Sequence, residues 1–364
     1  MPNPLIPSGA VSPLVRHQRN PLLTSRDVPY PSTLVYNAGV VKFAGRYAMM
    51  FRNDYGRWGD PRLEGTNIGL AWSTDGVTWE VAPEPVITVE KARRWVKDYS
   101  PYHDADRELL FVNDPRLTVL EGRVYCCLAF FMASGLCGGV LVTDDFDHFT
   151  LLSMTVPDNR NLVIFPQRHK GHYLRFERPF NNYGGAAMGA GRYSLWLSES
   201  PDLLFWGRSR RLLSYSEVPY ANERVGAGPQ PVLTPGGWLA MFHSVYHDAA
   251  WGKRGWEPKW DRHYDAGLML LDLDDPSKVL AVSNVPVLSP SAPYEMAGGD
   301  TFETSGFRGG VVFPTGMILE DSGEVKVYYG AADSFVCLAT ANVEDLLRFC
   351  LENPVARPEA SPGD

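Results

Sequence analysis

Asp114 and Arg116 stand among apolar residues in FVNDPRLTVLEGRVYCCLAF, residues 111–130, and are the first candidates for chemistry. The rest of this segment is typical of two strands joined by a turn at 121–122. A carboxylate and a guanidinium beside a proline are poor strand formers, so their position needs a reason. They form either a surface ion pair at a turn or a reactive carboxylate held at the mouth of a rigid sheet.

Polar residues interrupt or end several other apolar strands, and a buried polar side chain is costly unless it is paired or takes part in function. The positions that share this feature are Asn37, Arg52, Arg160, Asn161, Arg178, Arg224, His243 and Asp333. Taken singly, each has a structural explanation, as a solvated strand end, a core histidine or a turn cap. Brought together, the arginines and the histidine would bind an anion, because guanidinium groups match the oxygens of phosphate. A carboxylate beside them would then serve as the acid.

The composition excludes several other classes of protein. The chain has 364 residues, of which 45% are hydrophobic and 21% charged, and its net charge of -8 provides no overall positive field for a nucleic acid. The five cysteines show no metal-binding spacing, so we expect buried thiols in a reducing compartment and no metal site. The sequence contains neither a signal-peptide pattern nor an apolar run of about 18 residues. We therefore expect a cytoplasmic protein with no membrane or nucleic-acid partner.

Short strands separated by Gly and Asp turns fill most of the chain, as in an all-β sandwich, barrel or propeller. Three segments share a plan in which a strand ends in Ser or Thr, a turn with Asp follows and an aromatic residue starts the next strand: AWSTDGVTWEVA, VTDDFDHFTLL and WLSESPDLLFWGRS. Repeats of about 50–70 residues are typical of propeller blades. We predict an all-β, single-domain, five-bladed β-propeller with blades near 35–85, 108–155, 161–215, 225–280 and 308–340. A β-sandwich with coincidental turns is the alternative.

The two ends of the chain differ from this repeating part. Residues 1–20 form a proline-rich N-terminal arm, which is long enough to reach a neighbouring subunit in a homo-oligomer. Residues 21–341 make up the predicted catalytic propeller. Within 342–364 we predict a short C-terminal helix, because Asn342 is a good N-cap for NVEDLLRFC, followed by a disordered tail.

A set of motifs, in order along nearly the whole chain, resembles the β-mannoside phosphorylases of glycoside hydrolase family 130. The segments are YNAG, VNDPRLT, NRNLVIFPQRHKGHYLRFERP, SESPDLLFWG, GAGPQPVLTPGGWLAMFHSVY, LLDLDDPSKVL and VYYGAAD. A single motif such as DPR is weak, but the ordered set is specific. The resemblance implies a five-bladed propeller that cleaves a β-mannosidic bond with inorganic phosphate, releasing α-mannose 1-phosphate and a shortened acceptor. It implies no cofactor, since phosphate is a co-substrate.

The resemblance also implies a role for each candidate residue. The Asp of the family's Asp-Pro-Arg motif, its general acid, falls on Asp114. The implied phosphate-binding residues are Arg160, Arg178, Arg224 and His243, and Arg224 replaces a lysine that is frequent in the family. The implied substrate-binding residues are Asn37, Arg52, Asn161, Asp333 and Tyr264. Phosphate is already an anionic nucleophile, so one acid and a basic site suffice and no catalytic base is needed.

Two other functions remain open at this stage. A β-mannosidase on the same fold would use water and would need a carboxylate base, for which Glu295, Asp300 and Glu303 are candidates. The arginines and the histidine favour phosphorolysis, since a hydrolase has no use for them together. The third hypothesis is a non-catalytic carbohydrate-binding propeller. The presence of Asp114, the aspartate of the Asp-Pro-Arg motif, argues against it.

The acceptor sugar and the linkage are less well defined by the sequence. The segments NRNLVIFP and SESPDLLFWG favour a β-1,4 linkage by resemblance, with mannose, glucose or N-acetylglucosamine as the acceptor. Loops 53–67 and 295–308 are unusual and would shape the site, and a second DPR at 60–62 is interpreted as a surface turn. Residues 251–267, WGKRGWEPKWDRHYDAG, carry aromatic side chains suited to sugar stacking, although packing within the loop or a subunit contact would explain them equally well.

Overall fold

The computed structural model of the chain describes residues 11–57, 63–100, 104–180, 192–248, 260–296, 307–352 and 354–355. Within these residues, the strands form five antiparallel sheets, each following on from the last along the chain. The sheets are the blades of a five-bladed β-propeller, which confirms the predicted fold class. None of the described helices is long and apolar enough to span a membrane.

Each blade uses consecutive strands, and the first strand of the chain completes the last blade. The strand β1 is Val15–Arg16. Blade 1 contains β2 (Leu34–Phe43), β3 (Arg46–Tyr55), β4 (Gly65–Ser73) and β5 (Glu80–Val81). Blade 2 contains β6 (Leu109–Leu120), β7 (Arg123–Met132), β8 (Gly135–Thr143) and β9 (Thr150–Met154). Blade 3 contains β10 (Asn159–Ile164), β11 (Tyr173–Pro179), β12 (Leu195–Ser200) and β13 (Gly207–Leu213).

Blade 4 has one strand more than blades 1–3, and blade 5 receives its fourth strand from the N-terminal segment. Blade 4 contains β14 (Arg224–Ala227), β15 (Val232–Thr234), β16 (Gly237–His247), β17 (Arg262–Leu271) and β18 (Val279–Val282), and both β14 and β15 pair with β16. Blade 5 contains β19 (Val312–Leu319), β20 (Glu324–Ala331), β21 (Phe335–Asn342) and, at its outer edge, β1. All five predicted blades thus agree with the observed ones to within a few residues.

The strand β1 closes the ring of blades. Val15 pairs with Thr340 and Arg16 with Ala339, so the N-terminal segment forms the outer strand of blade 5. The side chain of Arg16 donates to both carboxylate oxygens of Glu295, at 2.8 and 2.9 Å. Residues 1–20 were expected to be an arm outside the propeller, but at least 15–16 belong to it. The reason is that the outer edge of blade 5 would otherwise expose unpaired backbone groups.

Apolar side chains packed between neighbouring blades make up the core. In one such cluster Leu239 and Met241 of blade 4 pack with Val325 and Val327 of blade 5, and all four are fully buried. Alternation along each strand therefore sends apolar side chains towards both adjacent blades. The consequence is a rigid ring in which only the ends and irregularities of strands reach the centre.

Three helices lie outside the sheets of the described chain. The predicted C-terminal helix is confirmed as α3 (Val343–Leu351), capped by the Asn342 side chain, which accepts a bond from the Glu344 N–H at 2.9 Å. The helices α1 (Val89–Tyr99) and α2 (Ala105–Glu108) were not predicted. A signal for α1 existed, since Thr88 caps it and Ala92 and Val96 form a buried i, i+4 pair. The tail at 356–364 lies outside the described residues.

A β-bulge interrupts the first strand of each of blades 1, 2 and 3. The residue at each bulge has a positive φ: 51° at Asn37, 54° at Asp114 and 57° at Asn161. The register of the ladder to the next strand shifts at the same place in all three blades. Asn and Asp tolerate this left-handed conformation better than other residues with a side chain. At each bulge the regular alternation of side chains is interrupted, and the polar side chain takes a different direction from its neighbours. This explains how a carboxylate can occupy a strand that is otherwise apolar.

Candidate active site

A cavity of about 480 Å³ lies where the first strands of the blades meet, and its lining draws on all five blades. Nine of the ten predicted site residues line it, namely Asn37, Arg52, Asp114, Arg160, Asn161, Arg178, Arg224, Tyr264 and Asp333. The tenth, His243, lies behind the cavity wall and is fully buried. Residues far apart in sequence are therefore brought together as the resemblance implied.

Asp114 is buried at the centre of this group and is surrounded by donors. Its Oδ1 accepts from the Asn37 side chain at 3.0 Å and from Arg52 at 3.3 Å, and its Oδ2 accepts from Arg160. Burial raises the pKa of Asp114, but the positive charges of Arg160, Arg52 and Arg116 outweigh burial and hold this pKa well below its usual value. The carboxylate is consequently ionised in the unliganded site.

Arg52 is fixed by a carboxylate that the sequence analysis missed. Asp54 binds Arg52 through two bonds, from Nε at 2.8 Å and from Nη2 at 2.7 Å. Asp54 also accepts from the hydroxyls of Tyr36 at 2.7 Å and Thr66 at 2.8 Å. The sequence contained a signal for this pair. Arg52 and Asp54 are two residues apart on one strand, so their side chains face the same side of the sheet. Asp54 thus positions Arg52 towards the cavity, next to Asp114.

Arg160, Arg178 and Arg224 form the basic side of the cavity. Burial lowers the pKa of Arg178 well below its usual value, and the neighbouring charges of Arg160 and Arg224 lower it further. Buried donor atoms here, the Nε of Arg178, the Nε of Arg224 and the Nδ2 of Asn161, have no hydrogen-bond acceptor among the described residues. Like charges and unfilled donors held together in this way fit an anion with several acceptor oxygens.

His243 supports this basic side from behind. Its Nδ1 contacts the carbonyl oxygen of Ala227 at 3.1 Å, and its Nε2 contacts Nη1 of Arg178 at 3.0 Å. A carbonyl can only accept and a guanidinium can only donate, so Nδ1 carries the proton and Nε2 is the acceptor. Burial and the charge of Arg178 lower the pKa of His243 well below its usual value, consistent with a neutral ring. His243 contacts Arg178 and does not line the cavity, and its role in phosphate binding stays a prediction.

Arg116 has a different role from the arginines of the basic side. Its Nε donates to the Gly228 carbonyl at 2.9 Å and its Nη2 to the Ala227 carbonyl at 3.3 Å, so it links blade 2 to blade 4. Burial lowers the pKa of Arg116 to about 10. Asp114 and Arg116 are therefore not a surface ion pair. Asp114 lines the cavity. Arg116 is buried behind the cavity wall, where it joins two blades and adds positive charge near Asp114.

Aromatic rings and polar groups line another part of the cavity. The ring of Tyr264 is stacked on Trp260, with centroids 5.6 Å apart, and the guanidinium of Arg308 lies 4.9 Å from the Trp260 ring. Arg308 donates to Asp333 at 3.0 Å. Burial raises the pKa of Asp333, although Arg308 and Arg52 counteract this. Flat rings beside hydrogen-bonding groups suit a sugar, whose faces are apolar and whose edges carry hydroxyls.

The carboxylates that were candidate catalytic bases of a hydrolase give that function no support within the described residues. Glu295 is fully buried and bound by Arg16 and by the hydroxyl of Tyr329 at 2.8 Å, so it holds the ring closed and cannot activate water in the cavity. Three carboxylates line the cavity within the described part of the chain, Asp54, Asp114 and Asp333, and each is bound by an arginine. Asp300, Glu303, the DPR at 60–62 and loop residues 251–259 lie outside the described residues.

Comparison with known proteins agrees with this geometry. Residues 13–352 match the family model of glycoside hydrolase family 130, described as beta-1,4-mannooligosaccharide phosphorylase. The chain is 27% identical over 341 residues to a beta-1,4-mannooligosaccharide phosphorylase of Ruminococcus albus, covering 92% of this chain and 90% of the relative. It is 25% identical over 365 residues to a 4-O-beta-D-mannosyl-D-glucose phosphorylase of Bacteroides fragilis, covering 93% and 80%.

A solved structure shows the same fold. The beta-1,2-mannobiose phosphorylase of Listeria innocua superposes with a TM-score of 0.74 at 23% identity, covering 93% of this chain and 99% of that one. The family model spans the whole propeller, including every described residue that lines the cavity. The chain therefore belongs to glycoside hydrolase family 130, the mannoside phosphorylases.

Proposed function

We propose that the protein is an inverting β-mannoside phosphorylase, which cleaves a mannosyl sugar with inorganic phosphate to give α-D-mannose 1-phosphate and the released acceptor sugar. The observation that carries the proposal is one buried carboxylate, Asp114, next to the three guanidinium groups of Arg160, Arg178 and Arg224. A phosphate oxygen would attack the anomeric carbon while the bond to the leaving oxygen breaks. Asp114 would supply the proton that the leaving oxygen takes up.

Each part of the site has a place in this reaction. The basic side would hold phosphate by charge-assisted hydrogen bonds and orient one oxygen for attack. Asn37, Arg52, Asn161 and Asp333 would bind the mannosyl unit, and Tyr264 would contact a sugar ring. Displacement by phosphate from the face opposite the leaving group inverts the anomeric centre, so a β-mannoside yields the α-phosphate.

Among the described residues, the three carboxylates that line the cavity are each bound by an arginine, which supports phosphorolysis over hydrolysis. A carboxylate that activates water must have an oxygen available to accept a proton, with the water between it and the sugar. Asp54 and Asp333 are engaged by Arg52 and Arg308, and Asp114 is needed as the acid. Phosphate needs no such base, because it arrives as an anion.

We further propose a β-1,4 linkage in the substrate. The description of the matching family model and the Ruminococcus albus and Bacteroides fragilis relatives support it. Other relatives, from Listeria innocua and Thermoanaerobacter, are named for β-1,2-linked substrates, so the linkage has to be tested directly.

The test is incubation with β-1,4-mannobiose, β-1,4-mannosyl-N-acetylglucosamine and β-1,2-mannobiose, each with and without phosphate, followed by phosphorus NMR. We expect α-mannose 1-phosphate from a β-1,4 substrate only when phosphate is present. Asp114→Asn should reduce the rate by at least about 100-fold, since it removes the general acid. The matched control is Asp321→Asn, at an exposed turn residue, which should leave the rate unchanged.

Two outcomes would contradict the proposal. Free mannose released at the same rate in phosphate-free buffer would indicate a hydrolase. Turnover of β-1,2-mannobiose but of neither β-1,4 substrate would leave the phosphorylase standing and overturn the linkage.

A further inference from the structure

We propose that phosphate binding and protonation of Asp114 are coupled through Arg160, a group that the carboxylate and the co-substrate share. In the unliganded site Arg160 neutralises Asp114. When phosphate occupies the basic side, it takes over part of the charge of Arg160, and Asp114 can then hold the proton that catalysis requires. This inference rests on the proposed function and adds to it the order of events.

The contacts of Arg160 place it between the two anions. Its Nη2 donates to Oδ2 of Asp114, and its Nε donates to the side-chain oxygen of Asn161 at 3.2 Å. Its side chain is 20% exposed and lines the cavity, whereas that of Asp114 is 2% exposed. These two hydrogen bonds fix the Arg160 guanidinium between the buried Asp114 and the rest of the basic side, which consists of Arg178 and Arg224.

The charges around Asp114 come from several blades and favour its ionised form. The cations Arg160, Arg52 and Arg116 face it, Asn37 donates to it, and Asp333 is the carboxylate that opposes them. A general acid must carry a proton before it can give one away. The unliganded site therefore holds its acid in the wrong protonation state for the reaction.

Phosphate binding reverses this balance. A phosphate dianion beside Arg160 and Arg178 offsets the positive field, and a neighbouring negative charge favours the protonated form of a carboxyl group. The pKa of Asp114 lies below its usual value without phosphate and rises with it, so a proton is taken up at any pH between the two values. By linkage, the protonated acid binds phosphate more tightly by the same factor.

This coupling has a consequence for the reaction. Without phosphate the acid stays ionised, so water that enters the cavity meets no proton donor for the leaving sugar. The site would thereby protect its substrate from wasteful hydrolysis, even though both reactions break the same bond. Specificity for phosphate as the nucleophile would come partly from the protonation state of Asp114 and partly from the affinity of the basic side.

The first test is calorimetric titration with sulfate, a divalent anion that carries no titrating proton near neutral pH. Asp114→Asn removes a negative charge that competes for Arg160, so we expect it to bind sulfate at least about 100-fold more tightly than the wild type. Asn also suits the left-handed backbone at this position. The matched control is Asp333→Asn, which removes a buried carboxylate bound to Arg308 and should change the affinity less than about threefold.

The second test needs no variant of its own. Sulfate binding by the wild type, measured from about pH 5 down to about pH 3.5 in pairs of buffers with different ionisation enthalpies, should show proton uptake that increases as the pH falls. Asp114→Asn should show none. Equal or weaker sulfate binding by Asp114→Asn, or proton uptake that persists in it, would overturn the coupling. Failure of sulfate and phosphate to bind any variant would overturn the phosphorylase proposal as well.

Discussion

Hydrogen bonds at single residues decide which groups of the site carry charge. The Ala227 carbonyl accepts from both Arg116 and His243, so the histidine keeps its proton on Nδ1 and offers Nε2 to Arg178. A neutral histidine cannot add a positive charge to the basic side. Its contribution is to hold the Arg178 guanidinium in place while burial and like charges work against it.

Replacement of His243 should therefore weaken phosphate binding selectively. In His243→Leu a buried donor of Arg178 loses its acceptor, which costs about 1–3 kcal/mol and should raise the KM for phosphate about tenfold or more. The KM for the mannoside should stay within about twofold. The measurement is steady-state kinetics with each substrate varied in turn.

A conservative variant separates positioning from mere packing. In His243→Gln the side-chain oxygen can replace Nε2 as the acceptor, so most of the phosphate KM should be restored. The control is His247→Leu, at a surface histidine bound to Asp261. If His243→Gln is as impaired as His243→Leu, or if both substrates' KM values rise together, the positioning role is refuted.

At the scale of the elements, the site depends on close approaches between strands. Gly226 on β14 lies against His243 of β16, its pairing partner, and against Arg178 of blade 3. A Cβ at Gly226 would lie 2.6 Å from Cε1 of His243 and 2.9 Å from Cδ of Arg178. No side chain fits there unless the basic side shifts.

Gly226→Ala should thus damage the site while leaving the blade intact. We expect the phosphate KM to rise at least about fivefold, because the added methyl group displaces Arg178 and His243, and stability to fall by about 1–3 kcal/mol from overpacking. The control is Gly207→Ala, where no atom lies within 4 Å of the added Cβ. Kinetics together with urea unfolding would measure both effects, and an unchanged phosphate KM would show that the glycine is dispensable.

The elements and the site differ in how far the sequence could predict them. The shared turn pattern could be found because it is local, and it lies between the last two strands of blades 1, 2 and 3. Arg116 could not be assigned its role, since its acceptor at Gly228 lies 112 residues away, and the same holds for the contact of His243 with Arg178, 65 residues apart. The bulges at Asn37, Asp114 and Asn161 decide where the side chains point, and a strand pattern alone does not show them.

At the scale of the whole molecule, closure of the ring brings the first and last blades together. Besides β1, the side chain of Asn20 bonds to both backbone groups of Leu338, 318 residues later in the chain, at 2.8 and 2.9 Å. The pair of Arg16, which is partly exposed, and the fully buried Glu295 adds an ionic contact between the N-terminal segment and the chain that precedes blade 5. The cavity depends on this closure, because Asn37 of blade 1 and Asp333 of blade 5 both line it.

Loss of the Arg16 side-chain charge should weaken the ring. Arg16→Met leaves the fully buried Glu295 without its cation, which should lower the free energy of unfolding by about 3 kcal/mol. Arg19→Met, at an exposed arginine of the same segment, should change it by less than about 0.5 kcal/mol. Urea unfolding followed by tryptophan fluorescence compares the two, and equal stabilities would mean that the ion pair does not hold the ring.

The pairing of β1 with β21 also sets when the enzyme can first become active in a cell. The ribosome makes β1 before any blade and β21 as the last strand of blade 5, and chain growth at about 5–20 residues per second separates them by tens of seconds. During that interval the nascent blades can fold one by one, but β1 has no partner strand until β21 is made. Catalytic competence is therefore expected to arise late, when β1 pairs with β21 and completes blade 5.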